Sequence, residues 1–214
     1  MKYLQNEQRL VYILLIIYFS TMKEQTLVVF KPDAVSRGLV GEITARFERV
    51  GLKIVAAKMM MVTRVLADKH YPDTREGFIN GMGKKTLENY QNLGIDAGKE
   101  LGSNDPHEIG LKIREWLVEM ITSGPVLTMV LEGPHAIELV RKMVGHTLPL
   151  AAAPGTIRGD YSFDSSYLAN TGKRPIKNLL HASGTLEEAK YEVDLWFTQN
   201  EIMSYERVEE KMMK

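Results

Sequence analysis

Thr26-Leu27-Val28-Val29-Phe30-Lys31-Pro32-Asp33 is the stretch on which the fold turns. Thr26 to Phe30 is short, β-branched and apolar, and Lys31-Pro32-Asp33 closes it, so it reads as a buried strand with polar residues at its exit. Downstream, Gly38 to Gly51 reads as a helix, with Ile43, Phe47 and Val50 on one side and Gly51 as its stop. Leu52 to Val62 alternates loosely and reads as a second strand. Arg64 to Tyr71 reads as a short helix that Pro72 ends. Asp73 to Asn104 is glycine-rich, polar and without a strong period, and is expected to hold one or two short helices.

Asp105-Pro106 is a helix start, a cap followed by proline in the first turn. The helix should run to about Thr122, burying Ile109, Ile113, Trp116, Leu117, Met120 and Ile121. Pro125 to Leu131 reads as a third strand and Pro134 to Val144 as a helix closed by Gly145. Leu148 to Ser166 reads as loop, and Ile176 to His181 as a short last strand. Thr185-Leu186-Glu187-Glu188 is a capping box that opens a helix through Phe197. This is the βαββαβ order of a ferredoxin-like α/β (α+β) sandwich, a four-stranded antiparallel sheet with helices on a face. Trp116 and the run Met59-Met60-Met61 are expected in the core.

Upstream, Leu10 to Phe19 is an unbroken apolar run, about half of the roughly 20 residues a helix needs to cross a bilayer. Phe19-Ser20-Thr21-Met22 is a poor match to a small-residue cleavage site. Met22-Lys23-Glu24-Gln25 reads as a start, which leaves residues 1–22 as an N-terminal extension outside the domain. A membrane anchor or an extra packed element are the alternatives, and membrane association is not expected.

The chain of 214 residues is 44% hydrophobic and 25% charged, the balance of a soluble globular domain. Its 27 Lys and Arg equal its 27 Asp and Glu, so the net charge is zero. A nucleic-acid-binding surface normally shows a basic excess, and none is expected here. With no cysteine, disulfides and thiolate metal sites are excluded. Neutral cytoplasmic proteins fit this profile.

No G-x-x-x-x-G-K-[ST], strand-linked G-x-G-x-x-G or H-E-x-x-H occurs. Gly81 and Gly83 sit in the polar stretch and carry little signal. What remains is a set of single polar residues at strand ends and in loops, where sites are usually built. Lys31 follows the first strand. Arg141 lies late in a helix and Thr147 opens the loop behind it. Arg158 follows the tight-turn sequence Pro154-Gly155-Thr156-Ile157. Two guanidinium groups and an ammonium converging on one point would suit a polyphosphate. His181 ends an apolar strand among small residues, and Glu192 lies in the helix that follows, which Glu187 and Glu188 make acidic anyway. Singly, each has a bland reading: a hydrogen-bonded core histidine, a solvated strand-end lysine, a helix C-terminal charge for Arg141, an exposed loop charge for Arg158.

Six segments together change that reading. Lys31-Pro32-Asp33-Ala34-Val35, Arg37-Gly38-Leu39-Val40-Gly41-Glu42-Ile43, His70-Tyr71, Ser123-Gly124-Pro125-Val126, Pro154-Gly155-Thr156-Ile157-Arg158-Gly159-Asp160 and Asn178-Leu179-Leu180-His181-Ala182-Ser183 occur in that order. From about Thr26 to Phe197 the chain resembles the nucleoside diphosphate kinase family, with insertions near 72–110 and 161–177 in a domain spanning 23–214. The resemblance implies that His181 is the nucleophile, taking a phosphate onto a ring nitrogen and passing it to a second nucleotide by a ping-pong mechanism. Glu192 would accept a hydrogen bond from the other ring nitrogen, with Ser183 supporting the glutamate. Lys31 and Tyr71 would contact the transferred phosphate, Arg141, Thr147 and Arg158 the outer phosphates, and Asn178 the sugar hydroxyls. ATP and other nucleoside tri- and diphosphates would be the substrates, Mg2+ riding on their phosphates the cofactor, and a homo-oligomer, tetramer or hexamer, the assembly.

The sequence departs from the family pattern at Gly184, where an aspartate is usual, at Ala182, where glycine is common, and at Leu148, in place of an asparagine. Ile113 falls near the place of the family's aromatic wall for the base, and no role is carried to it. Two other classes compete: a nucleotide-binding regulatory protein with little catalysis, and a ferredoxin-like nucleic-acid module, which the zero net charge disfavours.

Overall fold

The computed structural model describes residues 23–208 and residue 210; the sequence readings for 1–22 lie outside them. Four strands form one sheet in the order β2-β3-β1-β4. They are β1 (Lys23–Phe30), β2 (Lys53–Met61), β3 (Pro125–Pro134) and β4 (Leu180–Ala182). Each neighbouring pair is antiparallel. This is the ferredoxin-like arrangement expected from the element order.

Helices cover both faces of the sheet rather than one. Val28, Phe30, Met129, Leu131, Leu180 and Ala182 meet α2 (Val40–Arg49) and α7 (Ala136–Val144) through Ile43, Phe47, Val140 and Val144. On the opposite face Leu27, Val29, Val126 and Val130 meet α3 (Arg64–His70), α6 (Pro106–Thr122) and α10 (Leu186–Trp196) through Ala67, Val118, Ile121, Val193 and Trp196. A strand covered on both sides has no solvent face, which is why Leu27 to Phe30 shows no polar alternation.

Several other expectations change. The glycine-rich stretch holds a long helix, α4 (Glu76–Asn92), followed by the short α5 (Ala97–Leu101). The glycines that made it look irregular are packing devices. A Cβ on Gly83 would lie 1.7 Å from the Pro106 carbonyl oxygen, and one on Gly110 2.0 Å from that of Ile79, so α4 and α6 approach at bare backbone. Tyr90, Ala97, Leu101 and Ile109 form a small core between these helices, and Trp116 is half-buried against it. Met59 and Met61 are 59% and 58% exposed, because the sheet-edge strand β2 leaves them on a face left open at its end; only Met60 packs inward.

The expected loop from Leu148 to Ser166 contains a 3-10 turn, Pro149–Ala151, and α8 (Ile157–Tyr161), with α9 (Ser166–Thr171) just after it. Elements this short cannot show a helical period. Thr156 and Ser165 fix α8 and α9 instead, accepting the Gly159 and Leu168 N–H groups. The α9 segment leans on the first excursion: Tyr90 donates its hydroxyl to the Asn170 carbonyl at 3.1 Å, and Lys173 pairs with Glu100 at 3.4 Å. The third strand runs on to Pro134, and its helix begins at Ala136. Finally, α1 (Pro32–Ser36) starts directly on β1, with Lys31 as its N-cap. Among the described residues no helix is long and apolar enough to cross a membrane.

Candidate active site

Strand pairing decides what His181 faces. It lies opposite Val29 in the antiparallel ladder, and directly opposed residues share a face. That face is covered by α3 and α10, whereas Leu180 and Ala182 are pegged into the core on the other side. His181 is thus held at the sheet margin, its side chain 19% exposed.

Helix α10 braces it with one stripe. Glu188, Glu192 and Trp196 are four apart and so project on one side. The Glu188 carboxylate accepts the Gly184 N–H at 2.6 Å. Glu192 takes His181 Nε2–H at 2.8 and 2.9 Å to its two oxygens, together with the Ser183 hydroxyl at 2.6 Å. Burial pushes the Glu192 carboxyl up, but the neighbouring His181 and the hydrogen bonds from His181 and Ser183 outweigh it and hold the group below the usual carboxylate range. An ionised Glu192 accepts from Nε2, so Nε2 carries the ring proton and Nδ1 keeps a lone pair. Among the described residues Nδ1 has no hydrogen-bond partner.

The chain reaches His181 through a γ-turn rather than the expected strand from Ile176. Leu179 has φ 72° and Leu180 donates its N–H to the Asn178 carbonyl at 2.8 Å. A positive-φ γ-turn at a residue with a side chain costs roughly 1–3 kcal/mol. Its surroundings offset that. Leu179 donates N–H to Asp33 at 3.0 Å and accepts from the Lys31 N–H at 2.9 Å. Arg158 clamps both flanks, Nε to the Asn178 carbonyl at 3.1 Å and an Nη to that of Leu180 at 2.7 Å, while its other Nη reaches Gly145. Arg158 is therefore in the first place the buttress of the histidine's turn, and its two remaining N–H groups have no partner among the described residues.

Around this turn the expected cations collect. Lys31 Nζ donates to Asn178 Oδ1 at 2.7 Å, and Asn178 Nδ2 to the Thr147 carbonyl at 2.8 Å. Thr147 contributes its backbone here; its side chain is exposed. Arg141, in the last turn of α7 and exposed, reaches the Ala182 carbonyl at 3.5 Å. Burial pulls the Lys31 ammonium down to about 8, with Asp33 opposing and Arg158 reinforcing. Burial, and then Arg141, pull Arg158 down to about 10. Among the described residues none of these cations makes an ion pair with a carboxylate. Asp33 is the one carboxylate that acts on Lys31 and Arg158, and clustered positive charge with no carboxylate in ion-pair contact, beside a ring nitrogen that keeps its lone pair, is a place for a polyanion. Tyr71 is buried, and its burial together with Glu192 raises its phenol, which stays a proton donor.

Some of the site was not foreseen. Asp33 was quoted for its motif, yet its work is to hold Leu179. Arg114 from α6 donates Nε to the Tyr71 carbonyl at 2.8 Å. His70 packs edge to face against His181, ring centroids 4.5 Å apart. The spacing of Glu188, Glu192 and Trp196 was the available signal for a bracing face. His70, His181 and Glu192 are also the one His/Asp/Glu group among the described residues with ligand atoms close enough, within 4.8 Å, for a metal ion. Those atoms already hold one another: Glu192 is taken by His181 and Ser183, and His70 Nδ1 accepts the Trp196 indole N–H at 3.3 Å. The set is a hydrogen-bond network and fits no protein-held ion.

The chain is similar to known proteins over most of its length. A family model described as nucleoside diphosphate kinase matches residues 24–82 and 110–202. A nucleoside diphosphate kinase of Pyrobaculum aerophilum is 49% identical over 180 residues, covering 84% of this chain and 98% of that protein. One from Borreliella burgdorferi is 38% identical over 187 residues, 87% of this chain and 95% of that one. Among solved structures, an NDP kinase from Pyrobaculum aerophilum superposes with a TM-score of 0.83 at 48% identity, over 85% of this chain and 100% of that one. A transition state mimic of the Borrelia burgdorferi nucleoside-diphosphate kinase with bound vanadate and ADP gives a TM-score of 0.70 at 38% identity, over 90% and 97%.

Proposed function

This chain belongs to the nucleoside diphosphate kinase family, and from that premise we propose that it moves the terminal phosphate of a nucleoside triphosphate to a nucleoside diphosphate through His181. The observation that supports this reading is the Nδ1 of His181, without a hydrogen-bond partner among the described residues, its ring fixed from behind by Glu192 and set beside cations that no carboxylate holds in an ion pair.

Nδ1 attacks the γ-phosphorus, and the bond to the β–γ bridging oxygen breaks. The diphosphate departs with that electron pair, leaving a phosphoramidate on His181. A second diphosphate then attacks the same phosphorus with a terminal oxygen and the P–N bond breaks, so one site serves both half-reactions. Little covalent machinery is needed, because phosphoryl transfer depends chiefly on in-line placement and charge neutralisation. Lys31 and Tyr71 face the transferred group, Arg141 and Arg158 the outer phosphates together with Thr147, and Asn178 the sugar. Magnesium carried on the nucleotide's phosphates would supply further neutralisation. Phosphate oxygens would hold it, since the side chains nearest the phosphates are cationic. Glu192 keeps its proton relation to Nε2 throughout, so the ring neither rotates nor changes tautomer. We assign the enzyme to the cytoplasm, as a homo-oligomer of four or six copies.

Incubation with γ-labelled nucleoside triphosphate tests the reading. The wild-type chain should acquire acid-labile, base-stable label, and His181→Ala should acquire none; an alanine variant labelled as strongly as wild type would sink the assignment.

A further inference from the structure

Behind the nucleophile lies a second imidazole that the reaction scheme above does not use. His70 ends α3 with its side chain fully buried. Its ring stands edge to face against His181 at 4.5 Å and against Trp196 at 5.3 Å, and Tyr71 packs on it at 4.5 Å. Trp196 donates its indole N–H to His70 Nδ1 at 3.3 Å. That bond dictates the tautomer: Nδ1 must present its lone pair, and the proton sits on Nε2, which is buried and has no partner among the described residues. Nδ1 also lies 3.7 Å from Glu192 Oε1, the oxygen that takes His181 at 2.8 Å.

We propose that His70 is a positioning residue for phosphoryl transfer: Trp196 locks it as the neutral Nε2–H tautomer, and in that form it wedges the His181 ring while leaving Glu192 to His181 alone. The inference rests on the function proposed above. A proton on Nδ1 would set two N–H groups against each other and direct one of them at the oxygen that orients the nucleophile. The groups facing His70 are Glu192 on α10, His181 on β4, Lys31 after β1 and Arg75 ahead of α4, with Tyr71 against its ring. Burial first, and then His181, keep His70 neutral, down to about 3, against the opposing pull of Glu192.

Three variants separate positioning from packing. Trp196→Phe keeps an aromatic ring and removes the N–H. His70→Gln keeps an acceptor for Trp196 and cannot titrate, whereas His70→Leu fills the space with no acceptor. In the wild type, imidazole 15N shifts should report the Nε2–H tautomer of His70 across pH 5–8, a signature Trp196→Phe should lose. The rate of His181 phosphorylation should fall about 5-fold in Trp196→Phe, the value of one hydrogen bond, and at least 10-fold in His70→Leu. His70→Gln should recover most of that, with KM for nucleotide unchanged in all three. Equal rates in folded Gln and Leu variants, or a Trp196→Phe chain with both the tautomer and the rate of wild type, would overturn the proposal. Failure of the wild type itself to label would instead overturn the function on which it rests.

Discussion

Replacing Lys31 by methionine should make the protein more stable and nearly inactive. Lys31 is 5% exposed and faces Arg158 as well as Asp33. Each pH unit of depression corresponds to about 1.4 kcal/mol, so a fall from 10.5 to about 8 means the charged form is disfavoured in the fold by about 3 kcal/mol. Leaving Asn178 Oδ1 without its donor returns about 1 kcal/mol, so Lys31→Met should gain about 2 kcal/mol at pH 7. The sign follows from proton counting. Between pH 8 and 10.5 the unfolded chain holds the lysine proton and the folded chain does not, so wild-type stability rises with pH across that window. The methionine variant lacks the rise, and its advantage should vanish as the pH nears 10.5. Urea titrations of both chains at pH 7 and pH 10 measure it, while phosphorylation of His181 should drop by about 10²-fold or more with the lost charge. A variant less stable than wild type at pH 7 would show that the ammonium is fully compensated by Asp33, and the argument for an uncompensated cationic site would fail.

Glu192→Gln should slow phosphorylation by about 10²-fold or more, up to the roughly 10⁴-fold that loss of an orienting carboxylate costs elsewhere, and leave KM unchanged, because Glu192 is 3% exposed behind the ring; single-turnover labelling at several nucleotide concentrations separates the two. Gly83→Ala should cost about 2–4 kcal/mol, since its Cβ would meet the Pro106 carbonyl at 1.7 Å. Gly81→Ala, with open space around it in the same helix, should be neutral or gain up to about 1 kcal/mol; thermal melts in which the two changes behave alike would refute the close approach of α4 and α6.

What the sequence disclosed depended on how local the signal was. The βαββαβ order was legible because Thr26 to Phe30, the α6 stripe and the Thr185 cap each announce themselves within a few residues. The glycines of α4 misled, since a glycine that admits a neighbouring backbone looks the same in sequence as one that frees a loop. The turn at Leu179 was hidden for a related reason. Its positive φ is imposed by Asp33, Lys31 and Arg158, partners far along the chain, while its own side chain is apolar and suggests a strand. At the site, Lys31, Arg141, Arg158, Asn178 and His181 were found as residues, but Arg158's hold on the carbonyls beside the histidine and the wedge of His70 exist only in the packed arrangement.

The contact between Tyr90 and Asn170, with Lys173 on Glu100 beside it, binds two stretches that the chain visits about 80 positions apart. Neither is self-sufficient. Excising α9 alone would leave the Tyr90 hydroxyl without its acceptor, and shortening α4 alone would strip α9 of that support ahead of the turn that carries His181. Engineers who trim this protein should treat the pair as one module, removed or kept together, since half of it would be a liability to the turn before His181.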